Sequence, residues 1–324
     1  MHFLTVTFIS LFFSLATSFS IPILTREHFL SARSDSSPNP IAALYPNNVT
    51  GTINGTIVVV PIPYKLARSI IPAQYNILKE AYESQLPGFP HDSYPLVIRP
   101  CFDHDVGVLS LGFSLADFQL DGAAQSTLTR KMQKILIYYP FVDLLGDGYS
   151  SFTYSKYILL SSDSLLAQQG AASYGQIPVP SNFTPTLDAY AFKNADIVDE
   201  SSQEIFLDAY TNLSSTHPAV TTKFKPTRNI GPWPLEFYVN VTNQPTFTDG
   251  LSCDNQITLF NTTLSTGKNA PVGIRGEIMI KAPYIPTDTT FRDLHGIKVD
   301  IAFIENNQIP CSNLKGYHAT GSGD

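Results

Sequence analysis

The stretch Ile135-Leu136-Ile137-Tyr138-Tyr139-Pro140-Phe141-Val142 decides the fold class. It is short, β-branched and aromatic, which suits a strand better than a helix. A second run of the same character, Tyr149 to Leu160, follows it. The two are joined by Asp143-Leu144-Leu145-Gly146-Asp147-Gly148, whose Gly and Asp residues favour a tight connection. This pair predicts an antiparallel sheet.

The same signal recurs in both directions along the chain. Upstream, order begins near Thr52, and Ile57-Val58-Val59-Val60 reads as a strand interrupted by Pro61 and Pro63. Tyr64 to Ile71 predicts a short helix ended by Pro72. Leu96 to Phe102 and Val106 to Leu115 predict two strands, with Asp103-His104-Asp105 in the turn between them. Downstream, Asp163 can cap a helix over Ser164 to Ala172. Further strands are expected over Thr186 to Phe192, Glu204 to Tyr210, Leu235 to Val241, Gln256 to Asn261, Gly276 to Lys281 and Ile297 to Ile304. In the last, Ile297, Val299, Ile301 and Phe303 alternate with Lys298, Asp300 and Ala302, the pattern of a strand with one wet face. About a dozen strands and a few short helices predict one continuous, mainly β (α+β) domain over residues 51–324, a barrel or curved sheets.

Composition narrows the function. The chain has 324 residues, a formal net charge of −7 and only 15% charged residues. There is no basic run, so nucleic acid is not an expected partner. Residues 1–20 carry an apolar core from Phe3 to Phe19 that ends in small residues (Ala16, Ser18, Ser20), the pattern of a signal peptide. No later apolar run is long enough for a membrane span. Residues 21–50 are rich in Pro and Ser and are expected as an exposed N-terminal arm. Asn-X-Ser/Thr sites at Asn48, Asn54, Asn182, Asn212, Asn240 and Asn261 agree with export and glycosylation. Asn54 and Asn240 fall in strand-like runs, where a glycan is hard to place. The expected location is therefore secreted, extracellular or in the lumen of the secretory pathway.

The chain contains three cysteines. In an oxidising compartment an odd count leaves one unpaired. Cys253 and Cys311 lie in polar, turn-like settings and are the expected disulfide. Cys101 follows an apolar run and is expected as a buried thiol. Asp103, His104 and Asp105 are metal-ligating residue types, but tight turns use Asp more often. No metal and no cofactor are implied. Nucleophile elbows, zinc-protease motifs and Gly-rich phosphate loops do not occur in the sequence.

Two segments, in order, resemble the acetoacetate decarboxylase family. Ile57 to Pro72 resembles that family's opening strand and short helix. Ile135 to Pro180 is similar to its strand pair and following helix, with Ser173-Tyr174-Gly175-Gln176-Ile177-Pro178 where the family has its Tyr-Gly-Phe-Pro step. The resemblance implies an acetoacetate-decarboxylase-like β fold enclosing a pocket. It also implies a Schiff-base lysine directly after that step, but Val179 and Pro180 stand there, and neither can form an imine. Gln133 and Lys134 stand near the family's strand glutamate. Asn54 and Gly55 replace an arginine expected before the first strand. Schiff-base decarboxylation is therefore not expected, while the barrel and pocket can persist. Lys156 and Lys281 are the candidates for a relocated lysine.

The expected ligand is a small apolar or aromatic metabolite. Tyr139, Tyr154 and Tyr174 are expected as cavity walls, Gln176 as an amide hydrogen-bond donor and Arg68 as an anion contact. The expected chemistry, if there is any, is a non-covalent isomerisation, cyclisation or dehydration of secondary metabolism. The alternatives are a non-enzymatic ligand-binding or surface protein and a decarboxylase using a relocated lysine.

Overall fold

A computed structural model describes residues 38–111, 113–114, 132–193, 203–212 and 215–316. All lie within one compact unit, Ser31–Asp324. The expected signal peptide lies outside the described residues, as does the start of the arm.

The strands, in chain order, are β1 (Val49–Pro63), β2 (Asn76–Ile77), β3 (Ser93–Val108), β4 (Phe113–Ser114), β5 (Met132–Asp143), β6 (Phe152–Tyr154), β7 (Tyr157–Ser161) and β8 (Ile177–Thr184). They continue as β9 (Ala191–Phe192), β10 (Ile205–Tyr210), β11 (Val220–Pro226), β12 (Thr246–Phe247), β13 (Ser252–Leu259), β14 (Val272–Ile280) and β15 (Thr289–Pro310). The helices are α1 (Tyr64–Ile70), α2 (Lys79–Gln85), α3 (Leu165–Ser173) and α4 (Leu235–Thr242). The mainly β class with a few short helices is the one observed.

The pairings close on themselves. Running β5-β7-β8-β10-β11-β14-β15-β1-β3, each strand bonds to the next, and β3 bonds back to β5. The sheet is therefore closed into a barrel along this path, which leaves few strand edges unpaired. β7 with β8, and β6 with β12, are parallel; the other pairs are antiparallel. β1 is buried along nearly its whole length, because both of its faces are covered. Its continuous Ile-Val-Val-Val run is the sequence consequence.

On β15, Ile297, Val299, Ile301 and Phe303 are buried, as their alternation predicts, but Ala302 and Ile304 are buried too. A second apolar cluster covers that outer face: Ile41, Ile257, Leu259 and Leu264 pack with Ala302 and Ile304. Ile41 belongs to the segment expected as an exposed arm. From Pro38 onward, that segment docks on the barrel rather than projecting from it, and β1 begins at Val49.

Several element readings are corrected by tertiary structure. Asp103-His104-Asp105 is not a turn: β3 runs through it as one strand to Val108. Only a left-handed Asp105 (φ 50°) and a register shift opposite Thr50 and Thr52 mark the irregularity. Tyr149 to Leu160 divides into β6 and β7, broken at Ser155 and Lys156. Thr186 to Phe192 is mostly loop. Gln133 holds it there, donating through Nε2 to the carbonyls of Pro185 and Asp188 (both 2.7 Å) and accepting from Leu187 N–H (2.7 Å). Leu235 to Val241 is the helix α4. Phe237, Tyr238, Val241 and Thr242 are its buried residues, a 3.6-residue face whose β-branched and aromatic content imitates a strand. Helix α3 has Ser164, not Asp163, at its N-cap, with no side-chain cap bond.

Cys253 and Cys311 form a disulfide that ties the start of β13 to the residue following β15. Cys101 is a buried free thiol. Burial pushes it up to about 12, so it stays protonated and is a poor nucleophile.

Gly55 is required where β1 crosses β3. A Cβ there would stand 2.4 Å from the Pro100 carbonyl oxygen and 2.8 Å from the Cys101 Cα. Both are backbone atoms in a closed sheet and cannot step aside. Gly55→Ala is expected to lower stability by about 1–3 kcal/mol, read as a shift in the urea midpoint. An unchanged midpoint would show that the two strands can part at no cost.

Candidate functional cavity

The parity of β5 decides what faces inward. Met132, Lys134, Leu136 and Tyr138 line a cavity of about 750 Å³. Gln133, Ile135, Ile137 and Tyr139 alternate with them and face the other side of the strand. Ile158 and Leu160 of β7, Phe303 of β15 and Val106 of β3 complete the apolar lining. Helix α3 supplies a further wall through Ala167, Gly170 and Ala171, followed by Tyr174. Leu165 and Leu166 stand at the rim, 64% and 48% exposed. At the other end of α3, Gln308 Nε2 donates to Ser173 Oγ (3.0 Å), joining β15 to the helix.

The polar part of the lining comes from β3, β5, β13 and β15. Lys134 Nζ lies 2.6 Å from Asp103 Oδ2, and both side chains are buried. Burial, the largest influence, drives the Lys134 ammonium toward deprotonation, but the adjacent Asp103 carboxylate, together with Cys101 and Glu305, opposes it, and the net direction is upward. Lys134 is therefore an ammonium without a nucleophilic lone pair. Asp103 Oδ1 has no hydrogen-bond partner.

Asp254 and Glu305 form a second pair. Burial, and then the facing Glu305 with its hydrogen bond, hold the Asp254 carboxyl well above the usual carboxylate range. Asp254 accordingly favours its protonated form, because a second carboxyl faces it. Gln256 Nε2 donates to Glu305 Oε2 (2.7 Å). With its amide nitrogen facing the acids, Asn307 donates to Glu305 Oε1 (2.7 Å) and Asp254 Oδ1 (3.2 Å). Arg99, buried on β3, donates through Nη1 to Gln256 Oε1 (3.3 Å). Two cations, Lys134 and Arg99, thus face two carboxylates, Asp103 and Glu305, with Asp254 neutral. Burial keeps Tyr138 and Tyr174 as phenols, pushing Tyr138 up to about 12 and Tyr174 well above the usual range.

Of the residues expected at the site, Tyr174 lines this cavity. Tyr139 and Tyr154 do not. Their rings lie 6.3 Å apart, and Tyr154 also packs on Phe247 at 5.7 Å and Tyr139 on Tyr94 at 6.3 Å. They fill a packed aromatic core. Gln176 Nε2 donates to Ser155 Oγ (2.9 Å), fixing the break between β6 and β7. Arg68 donates to the carbonyls of Tyr75, Ile71 and Pro72 at 2.8–3.0 Å and so closes the turn after α1 rather than meeting an anion. Lys156 is exposed, with Nζ 5.0 Å from the centre of the Tyr157 ring. Lys281 ends β14 outside the cavity lining. The lysine on the cavity wall is neither of these but Lys134, buried on β5.

The remaining candidates are placed as follows. The His104 ring contacts Thr52 Oγ1 (2.7 Å) and Asp105 Oδ2 (2.6 Å), while Asp103 binds Lys134, so the three neighbours do not converge on one point. Among the described residues no group of three His, Cys, Asp or Glu side chains is arranged to hold a metal ion. No described helix is long and apolar enough to cross a membrane. Of the sequons, Asn182, Asn212 and Asn261 are exposed and Asn48 is half-buried. Asn54 is 3% exposed within β1, which leaves no room for a glycan in the folded chain. Asn240 lies on α4 and donates to Gln85 Oε1 (3.1 Å).

Asp103, Lys134, Asp254 and Glu305 were not assigned to a site from sequence. A signal was present in two of them. Lys134 is charged within an otherwise apolar strand, and Glu305 continues the inward parity of Phe303.

No protein-family model matches the chain, and no curated protein matches its sequence. Among solved structures, the enduracididine biosynthesis enzyme MppR with HEPES buffer bound aligns over 82% of this chain and 86% of its own, at 8% identity and a TM-score of 0.50. An acetoacetate decarboxylase-like enzyme from Sphingomonas wittichii RW1 aligns over 81% and 92%, at 7% identity and a TM-score of 0.45. The likeness to MppR is one of fold.

Proposed function

We propose that this chain is a secreted glycoprotein whose cavity binds a small molecule with a largely apolar body and an oxygen-bearing head. It transfers a proton on that molecule without forming a covalent intermediate. The observation that carries this reading is the Asp254–Glu305 pair, two half-buried acids facing each other on one cavity wall, with the Asp254 carboxyl held well above the usual carboxylate range. Environments that push two titratable groups apart create an acid and a base in one site. Asp254 then acts as general acid and Glu305 as general base. The Lys134 ammonium stabilises negative charge developing on the head oxygen, and Tyr138 and Tyr174 donate hydrogen bonds. Isomerisation, cyclisation and dehydration in secondary metabolism all belong to this class. Sequons Asn48, Asn182, Asn212 and Asn261 would carry the glycans.

Lys134 also bears on the relocated-lysine alternative. Its ion pair with Asp103 opposes imine formation, since attack on a carbonyl needs the free amine.

The test is hydrogen–deuterium exchange next to the carbonyl in a panel of enolisable ring and chain ketones, followed by NMR in heavy water. Wild-type protein is expected to catalyse exchange on at least one ketone. Asp254→Asn and Glu305→Gln are each expected to slow it about 100-fold or more. If bound ketones are recovered without label, the chain is a binder, and the catalytic reading is abandoned.

A further inference from the structure

Ala167, Gly170, Ala171 and Tyr174 recur at helical spacing on the side of α3 that lines the cavity, where Leu165, Leu166 and Gln169 also contribute. Glycine inside a helix is unfavourable relative to alanine. At Gly170 nothing in the packing demands it: a Cβ there would meet no atom within 4 Å. Gly170 lines the cavity, so the missing side chain leaves room and bare helix backbone at its wall. The same cavity contains an independent mark of a ligand. The Asp103 carboxylate is 2% exposed, and its Oδ1 has no partner, a costly state unless a donor arrives.

We propose that Gly170 sets the width of the ligand, and that the ligand is a hydroxylated ring compound. Its flat face lies against α3 at Gly170, and its hydroxyl donates to Asp103 Oδ1. A smooth surface of small residues takes a ring in contact across its whole face, whereas a flexible chain can bend around an added side chain. This inference rests on the reading that the cavity holds a small molecule, and it adds the ligand's shape and its donor group.

Calorimetric titration of the full chain with β-naphthol and with n-octanol tests it. The two probes share a hydroxyl and differ in shape. Wild type is expected to bind β-naphthol at a single site. Gly170→Leu is expected to weaken β-naphthol about tenfold or more, and n-octanol by less than about threefold. Gly170→Ala is expected to weaken β-naphthol about two- to threefold, with a melting midpoint no lower than wild type, since alanine favours the helix. Equal losses for both probes, or unchanged β-naphthol affinity in Gly170→Leu, overturn the assignment of Gly170. So does wild-type binding of n-octanol alone. If Gly170→Leu does not fold, unchanged affinity in Gly170→Ala overturns it. Wild type binding neither probe removes the cavity-ligand reading and this inference with it.

Discussion

Asp103→Ala is expected to cost about 3–5 kcal/mol of folding stability, because it leaves the buried Lys134 ammonium without its counter-charge. The pair lies 2.6 Å apart, with side chains 8% and 3% exposed, so water cannot replace the lost carboxylate. The loss is read from urea unfolding at constant slope. Pairing Asp103→Leu with Lys134→Met is expected to restore most of it, since an apolar pair needs no compensation. The same geometry governs reactivity. In wild type, burial depresses the Lys134 ammonium, and Asp103 supplies the largest part of the opposing push that leaves it raised. Asp103→Asn keeps the shape and removes the reversing charge, so the amine is released at ordinary pH. Borohydride trapping with acetone is therefore expected to label Lys134 in Asp103→Asn and not in wild type. A wild-type adduct at Lys134, or a stability loss below about 1 kcal/mol in Asp103→Ala, would show that the ion pair does not lock the amine.

The second large effect concerns pH. The Asp254 carboxyl is raised well above its ordinary 3.8 by burial and then by Glu305. The folded chain thus holds a proton that the unfolded chain has already released. Stability from this group is complete below the ordinary value and is lost as pH rises toward and through the raised one. One such proton gives a slope of about 1.4 kcal/mol per pH unit within that window. Lys134 is raised as well, so its contribution persists until strongly alkaline pH and does not overlap the window. Asp254→Asn is expected to abolish the slope and to leave the variant more stable than wild type at neutral pH. Urea midpoints measured from acid to neutral pH would decide it. A slope that survives in Asp254→Asn would place the bound proton elsewhere.

The architecture was legible because it rests on local composition. Ile57 to Val60 and Ile135 to Val142 announce strands through β-branched and aromatic content, and the turn-like settings of Cys253 and Cys311 pointed to their disulfide. The cavity was harder to read, for a reason of parity. The adjacent residues Tyr138 and Tyr139 carry the same side chain, yet they face opposite sides of β5. Only the closed sheet reveals which side is hollow. The acids Asp254 and Glu305 come from strands far apart in sequence, and nothing local predicts that they meet. Leu235 to Val241 shows the converse failure. Its strand-like content was overridden by a buried helical face, as tertiary context commonly does.

The pairing of Val49 with Glu305 has a consequence for biogenesis. The first barrel strand finds one of its two neighbours only in the last, so the ring cannot shut until β15 has been made. Such long-range closure makes folding slow and leaves apolar ladders uncovered in the interim. Loss of even a short C-terminal piece that removes β15 would orphan β1 and β14 together and leave the nascent chain dependent on chaperones.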